Sequence, residues 1–183
     1  ANSGKITAGS LNAEAVGNAN TDAKALDVDA SYGLMTHGGK VAHAEEKDAT
    51  AVNIKTVSIN TKGAVDIKAH NDSADANAVG TTPGGFSAAD IAKSEMQATV
   101  DNSAKITVSD NAIIEGGSIS FKAANSGNAE TSLTANGSKS SLASVKNASA
   151  SVDETYNTEI LFGNGSKVLA NEKLNLLTDT YSK

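Results

Sequence analysis

Gly63-Ala64-Val65-Asp66-Ile67-Lys68-Ala69 decides how this chain folds, because it recurs. Fifty-four residues earlier stands Gly9-Ser10-Leu11-Asn12-Ala13-Glu14-Ala15, and fifty-four later Gly117-Ser118-Ile119-Ser120-Phe121-Lys122-Ala123. A worn fourth copy runs Glu172-Lys173-Leu174-Asn175-Leu176-Leu177-Thr178. In each copy apolar residues fall at every second place, Leu177 excepted, which is the period of a strand with one buried face. A fixed repeat of this size points to a solenoid or an array.

The repeat extends upstream of the heptapeptide. Val52-Asn53-Ile54 and then Ile59 precede Gly63, and Ile106-Thr107-Val108 and then Ile113 precede Gly117. Ile160-Leu161-Phe162 and then Val168 precede Glu172, with one residue of slippage after Phe162. A slip inside a link is cheap in entropy, whereas a slip inside a strand turns every side chain to the wrong face. The units are therefore approximately 9–62, 63–116, 117–171 and a partial 172–183 of one segment spanning 1–183, expected to be a fragment of a longer protein.

Between the signature strands lie small-residue tracts. From Ala13 to Ala25 the odd positions are small and the even ones mostly polar. Alanine favours helices, but a spacing of two is a strand spacing. Ser31–Lys40, with Gly33, Gly38 and Gly39, reads as a loop. Glu45-Glu46-Lys47-Asp48 reads as a solvated turn, and Thr81–Gly85, Asn136–Ser138 and Asn164-Gly165 as turns. Ala88–Met96 is expected to form one or two helical turns.

Composition narrows the function. Aromatic residues make up 3%, there is one proline, no cysteine and no arginine, and the formal net charge is −6. Polarity alone suggests disorder, but a disordered tract has no register to hold. The charge disfavours nucleic acid. No segment approaches the ~20 apolar residues of a membrane span, so no membrane insertion by this fragment is expected. A parallel β-solenoid accommodates thin, alanine-lined layers of short strands. With coils of ~20 residues, each unit is expected to hold three coils of about eighteen, or two coils with a Gly-rich excursion. Val65, Ile67, Ile119 and Phe121 should then be buried and in register, as should Val52 with Ile106, with equivalents ~10–15 Å apart.

Ala104–Ala112 followed by Gly116–Ala123 resembles the repeats of large filamentous adhesins, the filamentous-haemagglutinin-like proteins, and among them the fusobacterial leukotoxin type. The resemblance runs from about Gly4 to Leu177; Phe86–Met96 departs from it, lacking the usual Gly/Ala/Val tract. It implies a right-handed parallel β-helix on an exported Gram-negative protein, secreted or held at the outer membrane and cell surface. It implies no catalytic residues. The expected role is structural and adhesive, toward a host or bacterial surface glycan or protein, with end-to-end self-association through open strand edges.

Alternatives are the stalk of a secreted cytolytic toxin and a β-helical polysaccharide-active enzyme. A trimeric autotransporter head fails for want of its shorter Ser-Val-Ala-like repeat. Asp27 and Asp29 stand two apart and could share one face, as a hydrolase's carboxylates must, but outward solvated carboxylates are the simpler reading. A lyase acting on uronates wants an arginine. Sugar platforms want aromatics, and only Tyr32, Tyr156, Tyr181 and three Phe exist. His37, His43 and His70 share no metal-ligand spacing and read as surface or loop residues. Gly33–Gly39 lacks the Lys-Ser/Thr of a phosphate loop. Hence no catalytic, cofactor or metal site is expected, and no cofactor. Asn71, Asn136, Asn147 and Asn164 each open an Asn-x-Ser sequon.

Overall fold

The computed structural model describes residues 4–25, 31–55 and 57–182. For 19, 25, 31–39, 82–87, 89–93, 135–141, 143–147 and 181–182 the description is of backbone alone. The described residues form strands and turns without helix: β1 (Gly4–Ala8), β2 (Leu11–Ala25), β3 (Ser31–Ile54), β4 (Val57–Thr61), β5 (Val65–Val108), β6 (Ile113–Phe162) and β7 (Lys167–Ser182). All pair in parallel in one seven-stranded sheet.

The chain is stacked on its own repeat. Leu11 pairs with Val65, Val65 with Ile119, and Ile119 with Leu174; Ile67 pairs with Phe121 and Val52 with Ile106. Four layers result: β1–β3, then β4 and β5, then β6, then β7. Val65, Ile67, Ile119 and Phe121 are buried and in register as the alternation predicts, and Val52 is half-buried beside Ile106. The spacing expected between equivalents is wrong. They lie on adjacent strands, ~4.8 Å apart, so one unit is one layer and not two or three coils.

Such a layer is long because it is flat. Drawn out straight, the 44 residues of β5 would span roughly 145 Å at ~3.3 Å each. Instead Asn71 Nδ2 donates to Ser103 O at 3.1 Å, so β5 curls back and its two halves face each other. Alanines make the narrow gap feasible. Ala42, Ala44, Ala76, Ala78, Ala98 and Ala129, with Met96 and Val100, form one buried cluster between these walls. A larger one holds Ile54, Ile59, Val65, Ile67, Ile106, Val108, Ile114, Ile119 and Phe121 at the other end. The Ala76→Leu variant should lose about 1–3 kcal/mol by overpacking, read as a lower urea midpoint; an unchanged midpoint would mean that the slot has room to spare.

Several local expectations are corrected. Ala88–Met96 is ladder-paired strand: Ala89 pairs with Met35 and Ala143, and Ile91 with His37 and Val145. Parallel neighbours on both sides overrule local helix propensity. Ser31–Lys40 is the opening of β3 rather than a loop. Glu45–Asp48 is strand too, with Lys47 exposed and Glu46 buried, the latter accepting a hydrogen bond from Thr21 Oγ1 at 2.9 Å. Thr81–Gly85 and Asn136–Ser138 lie within β5 and β6, marked by a shift of register at Pro83/Gly85, where proline offers no N–H to the ladder.

Ile59 stacks on Ile114, not Ile113, and Ile114 on Val168. The link before Ile113 is longer than the one before Val57, and this brings the inward isoleucines into one column. The slip of the last unit falls later, between Gly116 and Ser118, where Glu172 takes the glycine position. The glycine column itself is a contact. Gly63 N donates to Gly9 O at 2.7 Å and Gly117 N to Gly63 O at 2.8 Å, and a Cβ on Gly63 would stand 2.8 Å from Gly9 O.

Asn164-Gly165 is a turn, as its residues predict: Ser166 N closes on Gly163 O at 3.2 Å, and Gly165 has φ +70°. It sits on the turn of the layer before, where Asn111 has φ 59°. Asn111 N donates to Asn164 O at 2.9 Å and Asn164 N to Asp110 Oδ1 at 2.7 Å.

Candidate functional site

Strand alternation sends every second side chain outward, and stacking turns those side chains into columns. Opposite charges meet in some columns. Lys47 Nζ lies 2.6 Å from Asp101 Oδ2, and Lys105 Nζ lies 2.8 Å from Glu159 Oε2. These hydrogen bonds raise the Lys47 pKa and lower that of Glu159. Within one layer, Lys68 Nζ lies 2.9 Å from Asp66 Oδ2, which raises the Lys68 pKa. Exposed pairs of this kind contribute little stability, but Lys47 with Asp101 and Lys105 with Glu159 set opposite charges against each other across the ladder.

One outward stretch is concave. Asn20, Asp75 and Asn128 form one column, and Asp22, Asn77 and Glu130 the next. Together they line an open groove of about 260 Å³. Three carboxylates and three amides make it rich in acceptors. Its chemistry suits ligands that present several O–H or N–H donors. No aromatic ring lines it. Among the described residues no group of three His, Asp or Glu side chains could hold a metal ion.

Inside, a polar belt separates the two apolar clusters. Asn71 Nδ2 donates to Asn125 Oδ1 at 2.7 Å, Thr50 Oγ1 donates to Asn71 Oδ1, and Asp48 N donates to Asn102 Oδ1 at 2.9 Å. Gly17 occupies the belt position of the first layer, where a Cβ would run into Asn71 Oδ1, Asp48 Oδ2 and Thr50 Oγ1. Beside the belt the register shifts at Asn71/Asp75. Around this shift Asp75 Oδ1, Asn102 Nδ2, Ser126 Oγ and the Tyr156 hydroxyl are buried without a hydrogen-bond partner. Burial, with Glu154 and Asp75 nearby, pushes the Tyr156 phenol up to about 12. It therefore stays neutral at and well above neutral pH.

The residues singled out in the sequence do not converge. Asp27 and Asp29 lie outside the described residues, as do the side chains of His37, Tyr32, Tyr181, Asn136 and Asn147. His43 is exposed on β3. Asn71 is 1% exposed, so the folded chain hides that sequon, whereas Asn164 is exposed at its turn. His70 lies half-buried on the outer surface, and there Nδ1 lies 2.6 Å from Asp72 Oδ1 and Nε2 lies 2.8 Å from Glu14 Oε1. Burial opposes a charge on His70, but the hydrogen bonds to Glu14 and Asp72 outweigh it and raise its pKa. The signal that could have found this contact was Glu14 and His70 at neighbouring outward positions of successive copies. No family model, curated protein or solved structure matches the chain.

Proposed function

We propose that this chain is a non-catalytic structural and adhesive segment of a large exported bacterial surface protein of the filamentous-haemagglutinin-like kind. Its layers are successive turns of a right-handed parallel β-solenoid. The observation that carries this reading is the parallel stacking of each unit on its own copy, Val65 on Ile119 and Ile106 on Ile160. A stack of that kind extends by adding repeats and presents a long, regular outer face. The columns that line the groove are polar and acceptor-rich, and suit hydroxyl-bearing glycans or the donor groups of a surface protein. The place of work is outside the cell or on its surface.

The chain, immobilised on beads, is to be probed against a panel of surface glycans and extracellular proteins, with the soluble chain incubated separately with a panel of polysaccharides. Saturable binding without turnover is expected. The carboxylate-lined groove gives the enzymatic alternative its one foothold. Cleavage of any polysaccharide, abolished in Asp22→Asn or Glu130→Gln, would replace the adhesive reading with a catalytic one.

A further inference from the structure

We propose that the His70 imidazolium is a latch between the first and second layers, closed while protonated and released when it loses its proton. Both ring nitrogens face carboxylate oxygens, Nδ1 at 2.6 Å from Asp72 and Nε2 at 2.8 Å from Glu14. A neutral imidazole has a single N–H, so one of these contacts would become a lone pair against a carboxylate. Only the protonated ring donates to both.

The latch depends on an inserted residue. Gly17 pairs with Asn71 and Asn18 with Ser73, so the ladder register steps over Asp72. The register shifts beside it against the third layer too, between Asn71/Asn125 and Asp75/Asn128. That bulge places a carboxylate beside the second ring nitrogen. Glu14 belongs to β2, so the contact ties the first layer to the second. Next to it inside, Asn71 accepts from Thr50 of the first layer, and Gly17 leaves room for the belt. The outer latch and the inner belt therefore hold the same seam.

The charged groups around the ring set the sign. Glu14 comes from β2; Lys68, paired with Asp66, and Asp72 come from β5. Lys122 of β6 stacks on Lys68, while Ala124 stacks on His70 and Asp179 of β7 lies beyond Ala124. The carboxylates touch the ring and the lysines do not. Because the folded chain raises the His70 pKa, the latch's stabilisation is complete below the unfolded value of about 6.5. It is lost as pH rises through the folded value.

The test is amide hydrogen exchange along the whole chain at a series of pH values from about 5.5 to 8.5, corrected for the intrinsic chemistry. Side-chain titration of His70 by NMR accompanies it. Opening of β2 relative to β7 should grow with pH, on the order of tenfold per unit by which the pKa is raised. In His70→Gln the β2 exchange should be fast throughout and flat with pH, while His43→Gln should behave as the parent. Should His70→Gln fail to fold, Glu14→Gln, changed on an exposed partner, is expected to lower the His70 pKa and to flatten the β2 profile. Exchange of β2 that is independent of pH in the parent, or that keeps its pH dependence in His70→Gln or in Glu14→Gln, overturns the proposal.

Discussion

Phe121→Ala is expected to cost about 3–5 kcal/mol of stability. Phe121 is completely buried, the largest fully buried side chain among the described residues, and packs in one cluster with Ile67, Ile106, Ile114 and Ile119. Its ring meets Phe162 edge-to-face, with centroids 5.3 Å apart and planes at 82°. The layer above and the layer below hold Leu176 and Ile67 in ladder register, so the neighbours cannot collapse into the space left by the ring. Phe162→Ala is the control. Phe162 is 40% exposed and loses the same ring contact, but leaves no closed cavity, so it should cost markedly less. Urea unfolding of parent and both variants decides the matter. Equal losses for the two, or a loss under ~1 kcal/mol for Phe121→Ala, would place Phe121 outside a packed core.

What the sequence revealed, and what it hid, follows from the physics of ladders. Val65, Ile67, Ile119 and Phe121 were legible because a period of two and a fixed repeat both survive in the text, and each forces the same face inward. The number of coils per repeat differs from the expectation, which rests on short solenoid coils. Yet the only visible self-similarity is at fifty-four residues. A shorter coil would have stacked unlike tracts, bringing unrelated inward and outward residues into one column. Like stacked on like is what lets Asn71 bond Asn125. The absence of any shorter echo therefore already pointed to one unit per layer.

Local chemistry misled at other places. Four charged residues in a row suggested a solvated turn, but alternation continues through Glu45–Asp48 and sends Glu46 inward, where Thr21 donates to it. The spacing of Ala88, Ala89, Ile91 and Ala92 resembles a helix, but both neighbouring layers offer ladder partners to that tract. Counting fifty-four on from Ile59 gives Ile113, but a longer link moves the register by one to Ile114. The carboxylate and amide groove was not legible, because Asn20, Asp75 and Asn128 come into one column only through the shift beside Asn71. Sequence spacing gives no sign of which copy holds the extra residue; the ladder register shows it, stepping from Asn71 to Ser73.

Asn125 is the other position where a single change should be severe. It is completely buried, and its amide is fully used. Nδ2 donates to Asn157 O at 2.9 Å and Asn102 O at 3.4 Å, while Oδ1 accepts from Asn71 Nδ2 at 2.7 Å. Asn125→Ala removes those bonds and leaves polar atoms of Asn71 and Asn157 facing a dry interior, at an expected cost of about 2–4 kcal/mol. Asn125→Asp keeps the shape but replaces the two donor hydrogens with a carboxylate aimed at backbone oxygens. An unpaired buried charge of this kind costs about 3–5 kcal/mol. The pH dependence separates the two effects. Burial favours the neutral carboxyl, so the folded chain raises the pKa of the new group above about 3.9 and the native state holds the extra proton. Stability of Asn125→Asp relative to the parent should therefore fall as pH rises from about 3.9 to the raised value and stay at its lowest above it, whereas the deficit of Asn125→Ala should stay constant. Urea midpoints of the parent and both variants between about pH 4 and 8 give the answer. An Asn125→Asp variant as stable as the parent across that range would mean that water reaches Asn125 and that the belt is not a buried hydrogen-bonded seam.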